Sequence, residues 1–112
     1  MEINIIPKLK LLFVCNAGLH RSATAAEIYA KKGYETKSAG CWAEGERFLT
    51  EEKLEWADII ICMKEEHRKW IADNHPKEYM MKKIITLDIP DVYRVNQEEL
   101  VVLLRKSLSI LK

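Results

Sequence analysis

The segment Asp58-Ile59-Ile60-Ile61-Cys62-Met63 constrains the fold of this chain more than any other stretch. It is apolar without alternation and rich in β-branched residues, the pattern of a strand covered on both faces. Three further short runs accompany it: Lys10–Val14, Glu35–Ala39 closed by Gly40, and Lys83–Leu87. Helical patterns separate them. Ser22–Lys32 reads as a helix, with Gly33 as its C-cap and Lys31 and Lys32 in its last turn. Thr50 caps a short helix that carries Glu51 and Glu52 in its first turn. Lys64–Asp73 predicts a third helix, ended before His75-Pro76. A last helix runs from about Gln97 to Leu111, with Leu100, Leu104, Leu108 and Leu111 on one stripe. Strands alternating with helices predict a three-layer α/β fold. Its four-stranded parallel sheet has right-handed crossovers and helices on both faces. The 112 residues suffice for one core and are too few for two, so a single domain over 1–112 is expected.

Ligands of such sheets bind beyond the carboxyl ends of the strands, at the switch point. Cys15 lies at such an end, after Leu11-Leu12-Phe13-Val14. Five residues later Arg21-Ser22 leads into Ala23-Thr24-Ala25-Ala26-Glu27. A thiol, a guanidinium and a hydroxyl therefore share one short loop between a strand and a helix N-terminus. The free N–H groups of the helix start and a loop wound into a nest of N–H groups make an anion site. Arg21 adds a planar fork suited to two phosphate oxygens. Cys15 sits where a nucleophile faces that phosphate, and an electropositive loop suits its thiolate form. The spacing alone arises by chance in many chains, and a strand-end cysteine is commonly only a small hydrophobe. The strand before it, the helix after it and the flexible Gly18 between them favour a catalytic or phosphate-binding loop.

Charge and cysteine count narrow the class. Lys plus Arg is 18 and Asp plus Glu 17, a balance that gives no reason to expect nucleic-acid or membrane partners. Three cysteines without a CxxC pair read neither as a disulfide framework nor as a metal centre, and no cofactor is expected. Lys8 and Lys10 interrupt the first apolar run, which does not read as a signal peptide, and a cytoplasmic location is expected.

The segment Phe13-Val14-Cys15-Asn16-Ala17-Gly18-Leu19-His20-Arg21-Ser22 resembles the phosphate loop of the low-molecular-weight protein tyrosine phosphatases. Ser38-Ala39-Gly40 matches the Ser-Ala-Gly after that family's second strand. Ala57–Met63 is similar to its third strand. Asp91-Val92-Tyr93, with Asn96 and Leu100 beyond, looks like the segment that delivers its general acid. Leu87-Asp88-Ile89-Pro90-Asp91 is similar to a short microbial branch. The four segments follow in order across nearly the whole chain. Several positions depart from the pattern. The chain is shorter than typical members, with the loss between Gly40 and Ala57. Gly18 replaces an Asn that braces the loop, His20 replaces a second cysteine, Ala23 replaces a proline, and Val92 stands where Pro follows the acid.

The resemblance implies hydrolysis of a phosphomonoester, with protein phosphotyrosine as the foremost substrate, through a cysteinyl-phosphate on Cys15. Arg21 and the loop Asn16, Ala17, Gly18, Leu19, His20 and Ser22 would bind a phosphorylated protein or a small aryl phosphate. Ser22 would donate to the Cys15 sulfur. Asp91 is the expected general acid, with Asp88 the alternative on the same loop. Trp42 and Tyr93 are candidates to wall the pocket around an aryl group. Cys41 follows the Ser-Ala-Gly turn as a possible redox partner or a passive thiol, and Cys62 reads as core. His67 and His75 are expected at the surface. A thiol-dependent arsenate reductase, a sugar-transport phosphocarrier and a phosphate- or phosphoprotein-binding module without turnover are the competing functions. Physiological substrate and oligomeric state stay open.

Overall fold

Alternate residues of β1 (Lys10–Cys15) feed two separate cores, because successive strand side chains point to opposite faces. Leu11, Phe13 and Cys15 join one buried cluster; Leu12 and Val14 join the other. The computed structural model describes residues 9–108, which form a four-stranded sheet in the order β2-β1-β3-β4. β2 is Glu35–Gly40, β3 is Ile59–Cys62 and β4 is Lys83–Thr86, and all neighbouring pairs are parallel. The expected α/β architecture is therefore present, with strand bounds shifted by a residue or two.

Helix α1 (Arg21–Lys31) and helix α5 (Glu98–Ser107) supply the first layer. Ala25, Ile28 and Tyr29 from α1 and Leu100 and Leu104 from α5 pack there on Leu11, Phe13, Ile59 and Ile61. Leu108 is buried with them, whereas Leu111 lies outside the described residues. The second layer holds α2 (Glu51–Trp56), α3 (Glu65–Asn74) and α4 (Pro76–Met81). There Leu54 and Ile71 cover Leu12, Val14, Ile60 and Cys62. Thr50 Oγ1 accepts from Lys53 N–H as the expected cap of α2. Helix α4 was not foreseen. His75-Pro76 ends one helix, but Pro76 is also the first residue of the next, where a missing N–H costs nothing and the fixed φ is helical. No described helix is long and apolar enough to cross a membrane.

The chain order reverses at β1, with β2 on one side and β3 on the other. Helices before and after that reversal lie on opposite faces, so the carboxyl end of β1 opens into a crevice between them. Cys15 is the residue at that end.

Candidate active site

Cys15 ends β1 and is 2% exposed. Its Sγ lies 3.0 Å from Ser22 Oγ and accepts from Gly18 N–H at 3.2 Å. The loop between them is held from outside by its carbonyls. Cys15 O accepts from Cys41 N–H, Asn16 O from Trp42 N–H, and Ala17 O from Arg47 Nε. A trans peptide turns its N–H opposite to its C=O, so with the Ala17 carbonyl facing outward the Gly18 N–H faces inward, where it reaches Sγ.

Two glycines allow this close winding. Gly18 has φ +66, and a Cβ on it would meet the backbone of Ala39 and Gly40 at 2.9 Å. A Cβ on Gly40 would lie 2.5 Å from Asn16 O and Ala17 C. Gly40→Ala must therefore push the loop off the end of β2. We expect at least tenfold weaker vanadate binding, with a stability loss of about 1–3 kcal/mol, as for an overpacked site. Calorimetric vanadate titration and a urea titration check both.

Arg21 opens α1 and is 1% exposed. Its Nη1 donates to Ile89 O at 2.7 Å. Its Nε is buried and has no hydrogen-bond partner among the described residues. A buried, incompletely bonded guanidinium is costly, and an anion beside it removes the cost. Ile89 belongs to the segment after β4, which is pinned in turn. Leu87 N–H donates to Cys62 O and Ile89 N–H to Met63 O. Two residues beyond this anchor, Asp91 turns back onto the loop: its Oδ2 accepts from Asn16 Nδ2 at 3.2 Å and its Oδ1 lies 3.6 Å from Arg21 Nε. Asp88 points elsewhere, 88% exposed and 2.7 Å from Lys64 Nζ.

The buried imidazole of His67 corrects the surface placement expected from its polar helix. It is 0% exposed and its Nε2 lies 2.6 Å from Asn16 Oδ1. Its Nδ1 accepts from the Lys64 backbone N–H, as the third residue of a capping box does. That spacing from the N-cap was the one sequence signal for its inward turn. Burial, aided by the Arg21 and Lys64 charges and opposed by Asp91, lowers its pKa to about 4. Between the ordinary 6.5 and that value the unfolded chain binds a proton that the folded chain refuses. Stability therefore falls as pH drops through this window. His67→Gln should flatten the slope, read as the difference between urea midpoints at neutral and mildly acidic pH.

The other candidates are placed as follows. Trp42 is half-exposed beside the loop, its ring 5.8 Å from that of His67. Leu19 is exposed. His20 Nδ1 accepts from Val95 N–H and so ties the Cys15–Arg21 loop to the chain beyond Asp91. Tyr93 packs on the first core layer and lines a cavity of about 500 Å³ with Glu98, Val102 and Lys106. Cys41 and Cys62 pack in the second layer, Cys41 just beyond the end of β2 with its N–H on Cys15 O. Burial and the neighbouring Cys15 push the Cys41 thiol up to about 12, and burial pushes Cys62 up as well. Both stay protonated near neutral pH and are poor relay nucleophiles. Among the described residues, Glu51, His75 and Glu78 bring metal-capable atoms within 4.8 Å of one another on the α2–α4 layer. Glu51 and His75 are far apart in sequence, so spacing could not reveal this group.

No family model and no curated protein matches the sequence. Solved structures match it in shape. Wzb of Vibrio vulnificus in complex with benzylphosphonate superposes with a TM-score of 0.76 at 22% identity, over 93% of this chain and 97% of that one. The tyrosine phosphatase Wzb from Escherichia coli K30, in complex with phosphate, gives 0.74 at 19% identity, over 91% and 94%. The YwlE arginine phosphatase from Geobacillus stearothermophilus gives 0.68 at 24% identity, over 92% and 93%. At these identities the likeness is one of fold.

Proposed function

We propose that this chain, which has the fold of the low-molecular-weight protein tyrosine phosphatases, hydrolyses phosphomonoesters through a cysteinyl-phosphate. The observation that carries the reading is the Cys15 sulfur held by Ser22 Oγ and Gly18 N–H beside the buried Arg21. The phosphate dianion docks on the loop N–H groups and the Arg21 fork. The Cys15 thiolate attacks phosphorus in line; the S–P bond forms as the ester P–O bond breaks. The Asp91 carboxyl gives its proton to the leaving oxygen. The Asp91 carboxylate then takes a proton from water as that water attacks phosphorus and displaces the sulfur. Ser22 and Gly18 N–H donate to the departing thiolate. Inorganic phosphate leaves, and the loop and Asp91 return to their starting states.

Protein phosphotyrosine is the proposed substrate class. Trp42 offers an aromatic face at the rim of the loop for an aryl group. A free nucleophilic thiol suits a reducing compartment such as the cytoplasm. Arsenate reduction by a cysteine relay is disfavoured, because the Cys41 and Cys62 thiols are buried and their pKa values are pushed up by burial.

The test is hydrolysis of p-nitrophenyl phosphate and phenyl phosphate by the purified chain with a chelator present. Turnover should persist with the chelator and stop with vanadate or thiol alkylation. Full inhibition by the chelator, reversed by a divalent ion, would sink the reading. Asp91→Asn should slow phenyl phosphate by on the order of 10²-fold or more and p-nitrophenyl phosphate much less, since only the poor leaving group needs a proton as its bond breaks. Asp88→Asn should slow neither selectively. A leaving-group dependence found in the Asp88 variant instead reverses the assignment.

A further inference from the structure

His67 is the one fully buried histidine, and its two nitrogens have different tasks. Nδ1 accepts from the Lys64 N–H at 3.0 Å and so carries a lone pair. The proton of the neutral ring therefore sits on Nε2, which donates to Asn16 Oδ1 at 2.6 Å. This bond turns the Asn16 amide so that Nδ2 faces Asp91 Oδ2, 3.2 Å away. The start of α3, the phosphate loop and the segment after β4 are thus joined by three successive hydrogen bonds with every donor aimed the same way. Asp91 Oδ1 receives none of them. It lies on the Arg21 side at 3.6 Å, too far for a hydrogen bond but within strong Coulombic reach.

We propose that His67 is a positioning residue for the general acid: by fixing the Asn16 amide it holds the Asp91 carboxyl at the phosphate loop and leaves Oδ1 as the oxygen that exchanges the proton. The inference rests on the phosphatase reading above. A carboxyl oxygen that already accepts from an amide is poorly placed to carry the mobile proton along the same line. The free oxygen is the one nearest Arg21, where the docked phosphate lies. Only neutral His67 can do this. Protonation would set an Nδ1–H against the Lys64 N–H and break the first link. Burial, the Arg21 guanidinium from α1 and the Lys64 ammonium oppose that protonation, and together they outweigh the Asp91 carboxylate, which favours it. A packing role would need none of this polarity, since any ring of similar volume would serve.

The experiment compares wild type, His67→Phe and His67→Gln on phenyl phosphate and p-nitrophenyl phosphate, with ¹⁵N-imidazole NMR of the wild type. Phe keeps the ring and removes the donor; Gln restores a donor toward Asn16. His67→Phe should lower kcat on phenyl phosphate by about 10- to 10²-fold, the scale of a misplaced catalytic group, and change p-nitrophenyl phosphate by less than about threefold. His67→Gln should recover most of that loss. NMR should show the neutral Nε2–H tautomer down to about pH 5, consistent with a pKa pushed down by burial. Equal loss on both esters, no loss on either, a Gln variant no better than Phe, or an Nδ1–H tautomer overturns the proposal. A wild type that turns over neither ester removes the phosphatase reading itself, a result visible before any His67 variant is measured. The tautomer then still judges the hydrogen-bond chain.

Discussion

Cys15→Ser is expected to abolish turnover of p-nitrophenyl phosphate, by on the order of 10⁴-fold or more, as loss of a covalent nucleophile does. Serine is isosteric enough to keep the loop wound, since Ser22 Oγ and Gly18 N–H can both bond to its oxygen as they do to Cys15 Sγ. Its hydroxyl has no general base bonded to it: the partners at this position are Ser22 Oγ and Gly18 N–H, whereas Asp91 Oδ2 and His67 Nε2 bond to Asn16. Phosphate binding should survive, because the loop N–H groups and Arg21 do not depend on the sulfur. The measurement is therefore paired: steady-state kinetics for turnover, and protection of the thermal midpoint by inorganic phosphate for binding. Retained turnover would move the nucleophile elsewhere. Lost turnover together with lost phosphate protection would mean that the sulfur organises the loop rather than attacking from it.

Arg21→Lys is expected to be almost as damaging as Arg21→Ala, each losing about 10³-fold or more in kcat/KM, the scale of an arginine that stabilises a transferring phosphoryl group. The guanidinium spans two jobs at once. Nη1 holds Ile89 O, and with it the segment that carries Asp91. The remaining donors, with the buried Nε among them, are left to meet the phosphate. A lysine ammonium is a point charge at the end of a flexible stem and cannot hold a planar fork toward two partners. Buried at the same place, it is also pressed to lose its proton. If Arg21→Lys kept most of the activity while Arg21→Ala lost it, charge alone would suffice and the two-pronged geometry would be wrong. Thermal unfolding of both variants separates this from simple destabilisation, since only the Ala variant also removes the bulk of a side chain that is among the largest fully buried ones.

The departure at Gly18 acquires a physical meaning in this setting. The family resemblance places a bracing Asn there, and Gly18 supplies the left-handed φ of +66 without its side-chain bonds. Two positions earlier the Asn16 amide links His67 to Asp91 and braces the loop toward the segment after β4. Restoring a side chain at position 18 would be resisted, since its Cβ would press on the backbone of Ala39 and Gly40.

The sequence by itself determined the layers and the loop. An unalternating apolar run such as Ile59–Cys62 can be buried only with helices on both sides, and a strand that ends in Cys15 before a helix opened by Arg21 can only make a tight, donor-rich turn. Those are local consequences of periodicity, capping and chain connectivity, and they survive any detail of packing. Helix α4 escaped because Pro76 stops one helix and starts the next, and the same residue signals both. What only the tertiary structure decided are directions. Asp88 and Asp91 share one short loop. Which of them reaches Asn16 depends on Ile89 being clamped between Met63 O, which accepts from its N–H, and Arg21 Nη1, which donates to its carbonyl. Cys41 stands next to a residue paired with Cys15, yet belongs to the opposite core layer. His67 lies on a helix of charged residues and turns inward because the start of α3 sits directly beside the phosphate loop. Side-chain direction across a switch point is set by strand register and by hydrogen bonds between segments far apart in the chain, and local pattern hints at it only where a cap is involved, as at His67.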